Sequence, residues 1–325
     1  MRGLALSGGG IKAAAHIGAL KAFEEEHIKF DCVSGASSGS IIATMYALGY
    51  SSDEMWKMFK KYCKRITYVE WKQILKMVVG LLFTRRLVID GLNSGKVIEK
   101  IIKEICEDSQ IKNINQIKMP LMISMVDLQK GTVYIASSKE VRANLLDNTK
   151  YITDIPISTA VRASCSFPVV FSPCEYDGIQ LIDGGTRENL PWKGLKDIGA
   201  NEVFGVSFDT ILEKNQCCKN IVEVAARAME LQGRELSMYE KVGIDHLINI
   251  NLKKVSLLDL SQINLLYKMG YEETKKQLLK KLSIIFEYFT KKWLYFISEY
   301  FTYVYLEFVR SPRRQAQDLF FCFKF

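Results

Sequence analysis

The first fifty residues place two short apolar runs, each followed by a glycine-bearing turn and then a segment of helical period, and this order constrains the fold more than any other feature. Gly3–Leu6 reads as a buried strand, Gly8-Gly9-Gly10 as a tight loop, and Ile11–Glu26 as a helix with apolar residues three and four apart. Phe30–Val33 reads as a second strand, and Ser38–Leu48 as a second helix stopped by Gly49. Strand, helix, strand in that succession closes only as a right-handed parallel β-α-β unit. The loops at the carboxyl ends of such strands are where α/β sheets build their sites. Further strands are predicted at Pro120–Val126, Thr132–Ser137, Val169–Phe171, Ile179–Ile182, Val203–Phe208 and His246–Asn251. Helices are predicted at Lys96–Glu107, Ile157–Ser164, Asn220–Lys241 and Glu272–Lys281.

The 325 residues fit one α/β domain over residues 1–280 with an extension over 281–325. A composition of 48% hydrophobic and 25% charged residues is that of a folded chain. The net charge of +8 favours acidic partners, among them anionic lipid. Eight scattered cysteines without a C-x-x-C pair argue against a zinc site or a disulfide framework and for a reducing compartment. The opening residues suit a strand rather than a secretion signal, and no run reaches the roughly 18 to 20 apolar residues of a membrane span. A cytoplasmic, peripherally membrane-associated protein is therefore expected.

Two stretches carry chemistry. Gly8-x-Gly10-x-x-Ala13 between a strand and a helix matches the dinucleotide fingerprint, but that fold needs an acid at the end of the second strand, where this chain has Val33-Ser34-Gly35. Gly35-Ala36-Ser37-Ser38-Gly39 fits G-x-S-x-G, which holds a serine on a sharp turn at a helix N-terminus. Ser37 as a nucleophile needs a base within hydrogen-bond reach. The order Ser37, Asp183, His246 would suit an α/β-hydrolase triad, yet here the elbow follows only two strands. His246 opens an apolar, strand-like run, and His16 and His27 lie on or just after the first helix, so all three read as structural. Among carboxylates, Asp183 followed by Gly184 and Gly185 at a strand end stands out, provided it is desolvated enough to act as a base. Asp90, Asp127 and Asp209 are expected to be structural turn or strand-end acids.

Together, Gly8-Gly9-Gly10-Ile11-Lys12, Gly35-Ala36-Ser37-Ser38-Gly39 and Asp183-Gly184-Gly185 resemble the patatin-like phospholipases over about residues 1–280. The stretches Val161–Pro168 and Asn189-Leu190-Pro191 are similar as well. The resemblance implies a three-layer α/β/α sandwich with a mostly parallel central sheet, and a Ser-Asp dyad without histidine, metal or cofactor. It implies Ser37 as nucleophile, Asp183 as base and the N–H groups of Gly8, Gly9 and Gly10 as an oxyanion hole, with Lys12, Gly35, Gly39, Gly184 and Gly185 in support. Such donors contribute roughly 3 to 4 kcal/mol each. Two departures stand out: Lys12 replaces the commoner arginine, and Ala13 stands where the family often has glycine.

The expected activity is lipid acyl hydrolysis of the phospholipase A or lysophospholipase type. Acyl transfer or general carboxylesterase chemistry is the alternative on the same residues, and a nucleotide-binding or non-catalytic lipid-binding module the alternative of another class. The expected partners are a phospholipid or lysophospholipid and a membrane surface, with neither nucleic acid nor nucleotide. Two segments suit that surface. In residues 54–86, Lys57, Lys60, Lys61, Lys64 and Arg65 alternate with Trp56, Phe59 and Tyr62, the pattern of an interfacial helix or of a cap over the site. In residues 283–325, fifteen of the 36 aromatics gather in an amphipathic, helical extension.

Overall fold

The computed structural model describes residues 1–66, 69–85, 89–141, 148–210, 217–218, 221–252 and 260–310. Thr67, Tyr68 and Arg86 of the first amphipathic segment, the tail 311–325 of the second, and Asn220 of a predicted helix lie outside the described residues.

The opening motif folds as its pattern requires: strand β1 (Arg2–Leu6), helix α1 (Ala13–Glu25), strand β2 (Cys32–Ala36) and helix α2 (Ser38–Ala47). Two helices follow, α3 (Ser52–Tyr62) and α4 (Trp71–Thr84). Next come α5 (Lys96–Glu107), β3 (Leu121–Asp127), β4 (Val133–Ser137), β5 (Thr149–Ile152) and α6 (Ile157–Ser164). The chain continues through β6 (Cys174–Tyr176), β7 (Ile179–Asp183), α7 (Lys193–Asp197), β8 (Glu202–Thr210), α8 (Ile221–Glu240), β9 (His246–Leu252) and α9 (Ile263–Arg310).

One sheet collects the strands in the order β5-β4-β3-β2-β1-β8-β9, with β7 joining at β3 and β6 at β7. β1 pairs in parallel with β2 and β8, β2 with β3, β8 with β9 and β4 with β5. The antiparallel pairings are β3 with β4, β3 with β7 and β6 with β7, so the sheet is mixed and mostly parallel.

Alternation along β8 shows how both faces are covered. Val203 packs with Ala5, Cys32 and Leu195 of α7 on one face. Phe204, its neighbour, turns to the other face and meets Phe23 of α1 edge-on at 5.8 Å. α2 lies against β1, β2 and β3, and α6 against β3 and β7.

Three sequence expectations are corrected. Val169–Phe171 is not a strand: Val169 has a left-handed φ of 71°, and Phe171 makes only an isolated bridge to Asn93. The left-handed turn at Val169 breaks the extended run, and among the described residues its bonds to Leu92 and Asn93 do not lengthen into a ladder. The second strand runs to Ala36 rather than stopping at Val33, because pairing with β3 extends through Ala36↔Ser124. Glu272–Lys281 is one portion of the much longer α9. The chain divides into two compact units, Met1–Lys275 and Lys276–Phe325.

Candidate active site

The register of β3 brings the elbow serine and the aspartate to one place. β2 climbs one edge of β3 and its pairing ends at Ala36↔Ser124. β4 occupies the opposite edge over Met122–Val126. β7, which pairs antiparallel with Met125–Asp127, must therefore use the edge that β2 vacates, and it descends to end at Asp183↔Met125. Two strands thus approach tip to tip along one edge, with Ser37 following the last residue of β2 and Asp183 closing β7.

Ser37 stands between β2 and α2 with φ 49° and ψ −130°, a backbone region that L-residues rarely adopt. Its N–H donates to Ser164 Oγ at 2.9 Å, and its carbonyl accepts from Ser40 N–H and Oγ at 2.9 and 2.6 Å. The turn is possible because Gly39 lets α2 press on the end of β1: a Cβ there would lie 2.5 Å from Leu6 O and 2.6 Å from Ser7 O. Gly35, the other glycine of the pattern, sits beneath the same turn.

Asp183 is 2% exposed. Its main-chain N–H donates to Ser166 O at 3.1 Å, and its Oδ1 accepts the Gly185 N–H at 2.7 Å. Gly184 packs so tightly that a Cβ would fall 2.4 Å from Ser124 O. Burial pushes the carboxyl up to about 7, against the opposing pull of the Ser37 side chain and the Gly185 N–H. The Ser37 hydroxyl lies near enough to favour the charged form. Asp183 Oδ2 is buried without a partner.

The glycine loop sits beside this pair. A Cβ on Gly8 would lie 2.8 Å from Ser37 Cβ. The Gly8 N–H itself is engaged by Asn189, whose Oδ1 and main-chain O accept it at 3.0 and 3.2 Å. Lys12 N–H closes the turn onto Gly9 O at 3.2 Å, and Lys12 is buried. Among the described residues, none accepts from the N–H of Gly9 or Gly10, so these two amides of the predicted trio are the ones left open.

Sequence reading missed three supports. Ser164 holds the main chain of Ser37, and Asn189 clamps Gly8. Glu240, on α8, accepts the Asn189 N–H at 2.7 Å. Burial, reinforced by the neighbouring charge of Glu188, pushes the Glu240 carboxyl up to about 7. Ser164 and Asn189 belong to stretches noticed in the sequence, while nothing local in the sequence marks Glu240.

The histidines lie in structural contacts. His16 is buried beneath the loop with Nε2 2.7 Å from Ser7 O, and burial lowers its pKa to about 4. His246 Nε2 pairs with Glu202 at 2.5 Å across the β8–β9 ladder, and His27 ends α1 with a left-handed φ of 55°. Asp90 accepts from Ser172 Oγ at 2.7 Å, Asp127 from the N–H of Gln129 at 2.9 Å, and Asp209 pairs with Lys241 at 2.8 Å. All three behave as the structural acids expected.

The pattern of the patatin-like phospholipase family matches residues 4–196, a span that contains the glycine loop, the elbow and the aspartate. The chain belongs to this family. Among related proteins, uncharacterized protein R571 of Acanthamoeba polyphaga mimivirus is 27% identical over 87% of this patatin-like chain and 95% of its own. Uncharacterized protein YqhO of Bacillus subtilis is 31% identical over 57% of this chain and 63% of its own. Lysophospholipase NTE1 of Candida albicans is 28% identical over 64% of this chain, which spans only 13% of that much longer protein. The fold is shared with VipD from Legionella pneumophila, at a TM-score of 0.50 and 17% identity, covering 86% of this chain and 67% of that one.

Proposed function

We propose that this patatin-like protein is a lipid acyl hydrolase, of phospholipase A or lysophospholipase type, working through Ser37 and Asp183. The observation that carries the reading is the tip-to-tip meeting of β2 and β7, which sets a strained serine beside a buried carboxyl whose pKa is pushed up to about 7. A carboxylate of ordinary pKa would hold a serine proton poorly; one matched to neutral pH is a competent base.

In the proposed reaction Ser37 Oγ attacks the ester carbonyl carbon and its proton passes to Asp183. The open N–H groups of Gly9 and Gly10 stabilise the oxyanion, while Asn189 fixes Gly8 and so the path of the loop. Collapse of the tetrahedral intermediate breaks the ester C–O bond, and Asp183 returns the proton to the departing alcohol. A water, deprotonated by Asp183, then releases the fatty acid and restores Ser37. The lipid substrate class rests on family membership together with the lysophospholipase relatives. The expected peripheral placement at a membrane, with residues 281–325 as a contributor, belongs to the same proposal.

The test is labelling by a fluorophosphonate probe, with the adduct located by peptide mass spectrometry, together with release of fatty acid from lysophosphatidylcholine. Adduct on Ser37 and loss of turnover in Ser37→Ala and in Asp183→Asn are expected. Full turnover in either folded variant would remove the dyad.

A further inference from the structure

α4 is built inside out. A surface helix ordinarily turns its apolar stripe inward and its polar residues to water. In α4 the inward positions are Gln73, Met77 and Gly80, four and three residues apart, with Gln73 and Gly80 buried. The outward positions are Ile74, Leu75, Val78, Val79, Leu82 and Phe83, all exposed, with Leu82 at 74% and Phe83 at 82%, and Trp71 joins them at 68%. A contiguous apolar face of this kind marks a binding surface.

Charge identifies what fits it. Between Lys57 and Arg85 the exposed cations are Lys57, Lys60, Lys61, Lys64, Lys72, Lys76 and Arg85. Glu70 is the sole carboxylate of that stretch of sequence, and it accepts from Ser94 Oγ at 2.9 Å. A second copy packed through this face would oppose Lys72 and Lys76 to their own like charges. Residues 281–325 carry seven basic and four acidic residues and offer no net negative charge either. An anionic bilayer supplies both an apolar interior and negative headgroups. Among the described residues no helix is long and apolar enough to cross a membrane, so α4 would lie in the interfacial plane.

We infer that α4 is the docking element of this protein on anionic bilayers, with Trp71, Leu82 and Phe83 entering the acyl region and Lys72 and Lys76 meeting the headgroups. The inference rests on the lipid-hydrolase reading for its purpose, but binding is separable from turnover. α4 is tied to the domain at its first turn, where Glu70 N–H donates to Leu92 O at 2.9 Å. Ser94, which bonds the Glu70 side chain, also receives Arg162 of α6 on its main-chain oxygen at 2.5 Å. A bilayer held by α4 is thereby held to the helix whose Ser164 supports Ser37.

The experiment uses the full chain with Ser37→Ala, so that vesicles stay intact, and measures sedimentation with phosphatidylcholine vesicles with and without phosphatidylserine. Adding Leu82→Asp with Phe83→Asp should lower partitioning at least about tenfold, since charged groups replace inserted apolar ones. Adding Lys72→Glu with Lys76→Glu should weaken the preference for phosphatidylserine, the other five exposed cations supplying what remains. Tryptophan emission should shift to the blue on binding, and the shift should shrink in Trp71→Phe. In the Ser37 enzyme, Leu82→Asp with Phe83→Asp should leave turnover of a soluble short-chain ester unchanged, which verifies folding, while hydrolysis of vesicle lipid falls. Unchanged partitioning of the Leu82 and Phe83 variant would overturn the inference, as would a dimer in gel filtration that the same variant splits. Failure of the hydrolase reading would instead show as no turnover of any ester, with vesicle binding by the Ser37→Ala chain intact.

Discussion

The Gly8 N–H is shared by two oxygens of a single residue, Asn189 Oδ1 at 3.0 Å and Asn189 O at 3.2 Å. One residue thus joins the glycine loop after β1 to the segment that follows Asp183. The same Oδ1 would crowd a Cβ on Gly185 at 2.9 Å, so the asparagine touches both loops of the proposed site. Its own N–H is held by Glu240, which extends the clamp into α8.

Replacing Asn189 by Ala should leave Gly8 with one poorer acceptor and let the loop drift. Since the amides of Gly9 and Gly10 would act only on the developing oxyanion, the loss should fall on kcat, about ten- to a hundredfold, with KM little changed. Asn189→Asp restores an acceptor but adds a negative charge beside Asp183, and should move the acid limb of the pH profile to higher pH. Steady-state kinetics of both variants decide the matter. A rise in KM at constant kcat would make Asn189 a substrate contact and not a positioning residue.

Ser37 holds its φ of 49° at a cost in backbone strain. Ser37→Ala keeps that conformation and should melt near the parent temperature, whereas Ser37→Gly, which adopts positive φ without penalty, should gain about 1 kcal/mol. Both should be inactive. Thermal melting of the pair measures the strain directly, and a glycine variant less stable than the alanine variant would show the turn to be relaxed.

How much of this was legible in sequence follows from where each signal lies along the chain. The elbow could be read because strand, Gly35, Ser37, Gly39 and helix are contiguous, and local sterics dictate that pattern. Asp183 could be marked as a candidate because two glycines follow it at a strand end. Its proximity to Ser37 depends on β7 occupying the edge of β3 beyond the end of β2, a matter of long-range pairing. The hold of Ser164 on Ser37 spans 127 residues, and that of Asn189 on Gly8 spans 181, so no local pattern reveals either. The three successive glycines suggested three free amides, but tertiary contact takes the first. The short strands β5 and β6 escaped prediction because their residues are partly exposed and carry little alternation. Met77–Phe83 is an apolar run in the sequence, but only the packing of α4 shows that its apolar side faces outward.

The proposed base predicts the pH profile. Asp183 must be ionised to take the serine proton, and burial sets its pKa at about 7. kcat/KM should therefore fall about tenfold per pH unit below that value and level off above it. Glu240 is raised to a similar value, chiefly by burial, and its titration overlaps. The limb should persist in Glu240→Gln, which keeps an acceptor for the Asn189 N–H but does not titrate. A profile flat from pH 5 to 8 would exclude Asp183 as the base.

Asp183→Asn separates a catalytic carboxylate from a structural one by the sign of its effect on stability. The folded state holds the proton more tightly than the unfolded chain, with the pKa raised from 3.8 to about 7. Below the unfolded value both states are protonated and the carboxyl carries no charge penalty. As pH rises the unfolded state ionises first, so the native state loses stability progressively until it too ionises, above about 7. The full penalty is bounded at roughly 4 kcal/mol. Asparagine keeps an oxygen for the Gly185 N–H and removes the buried charge. Urea denaturation should find Asp183→Asn more stable than the parent at pH 8 and nearly equal to it at pH 4, while inactive at both. A variant destabilised at pH 8 would mean that the native state draws net support from the ionised carboxylate, the behaviour of a structural acid and not of a base held ready in a dry pocket.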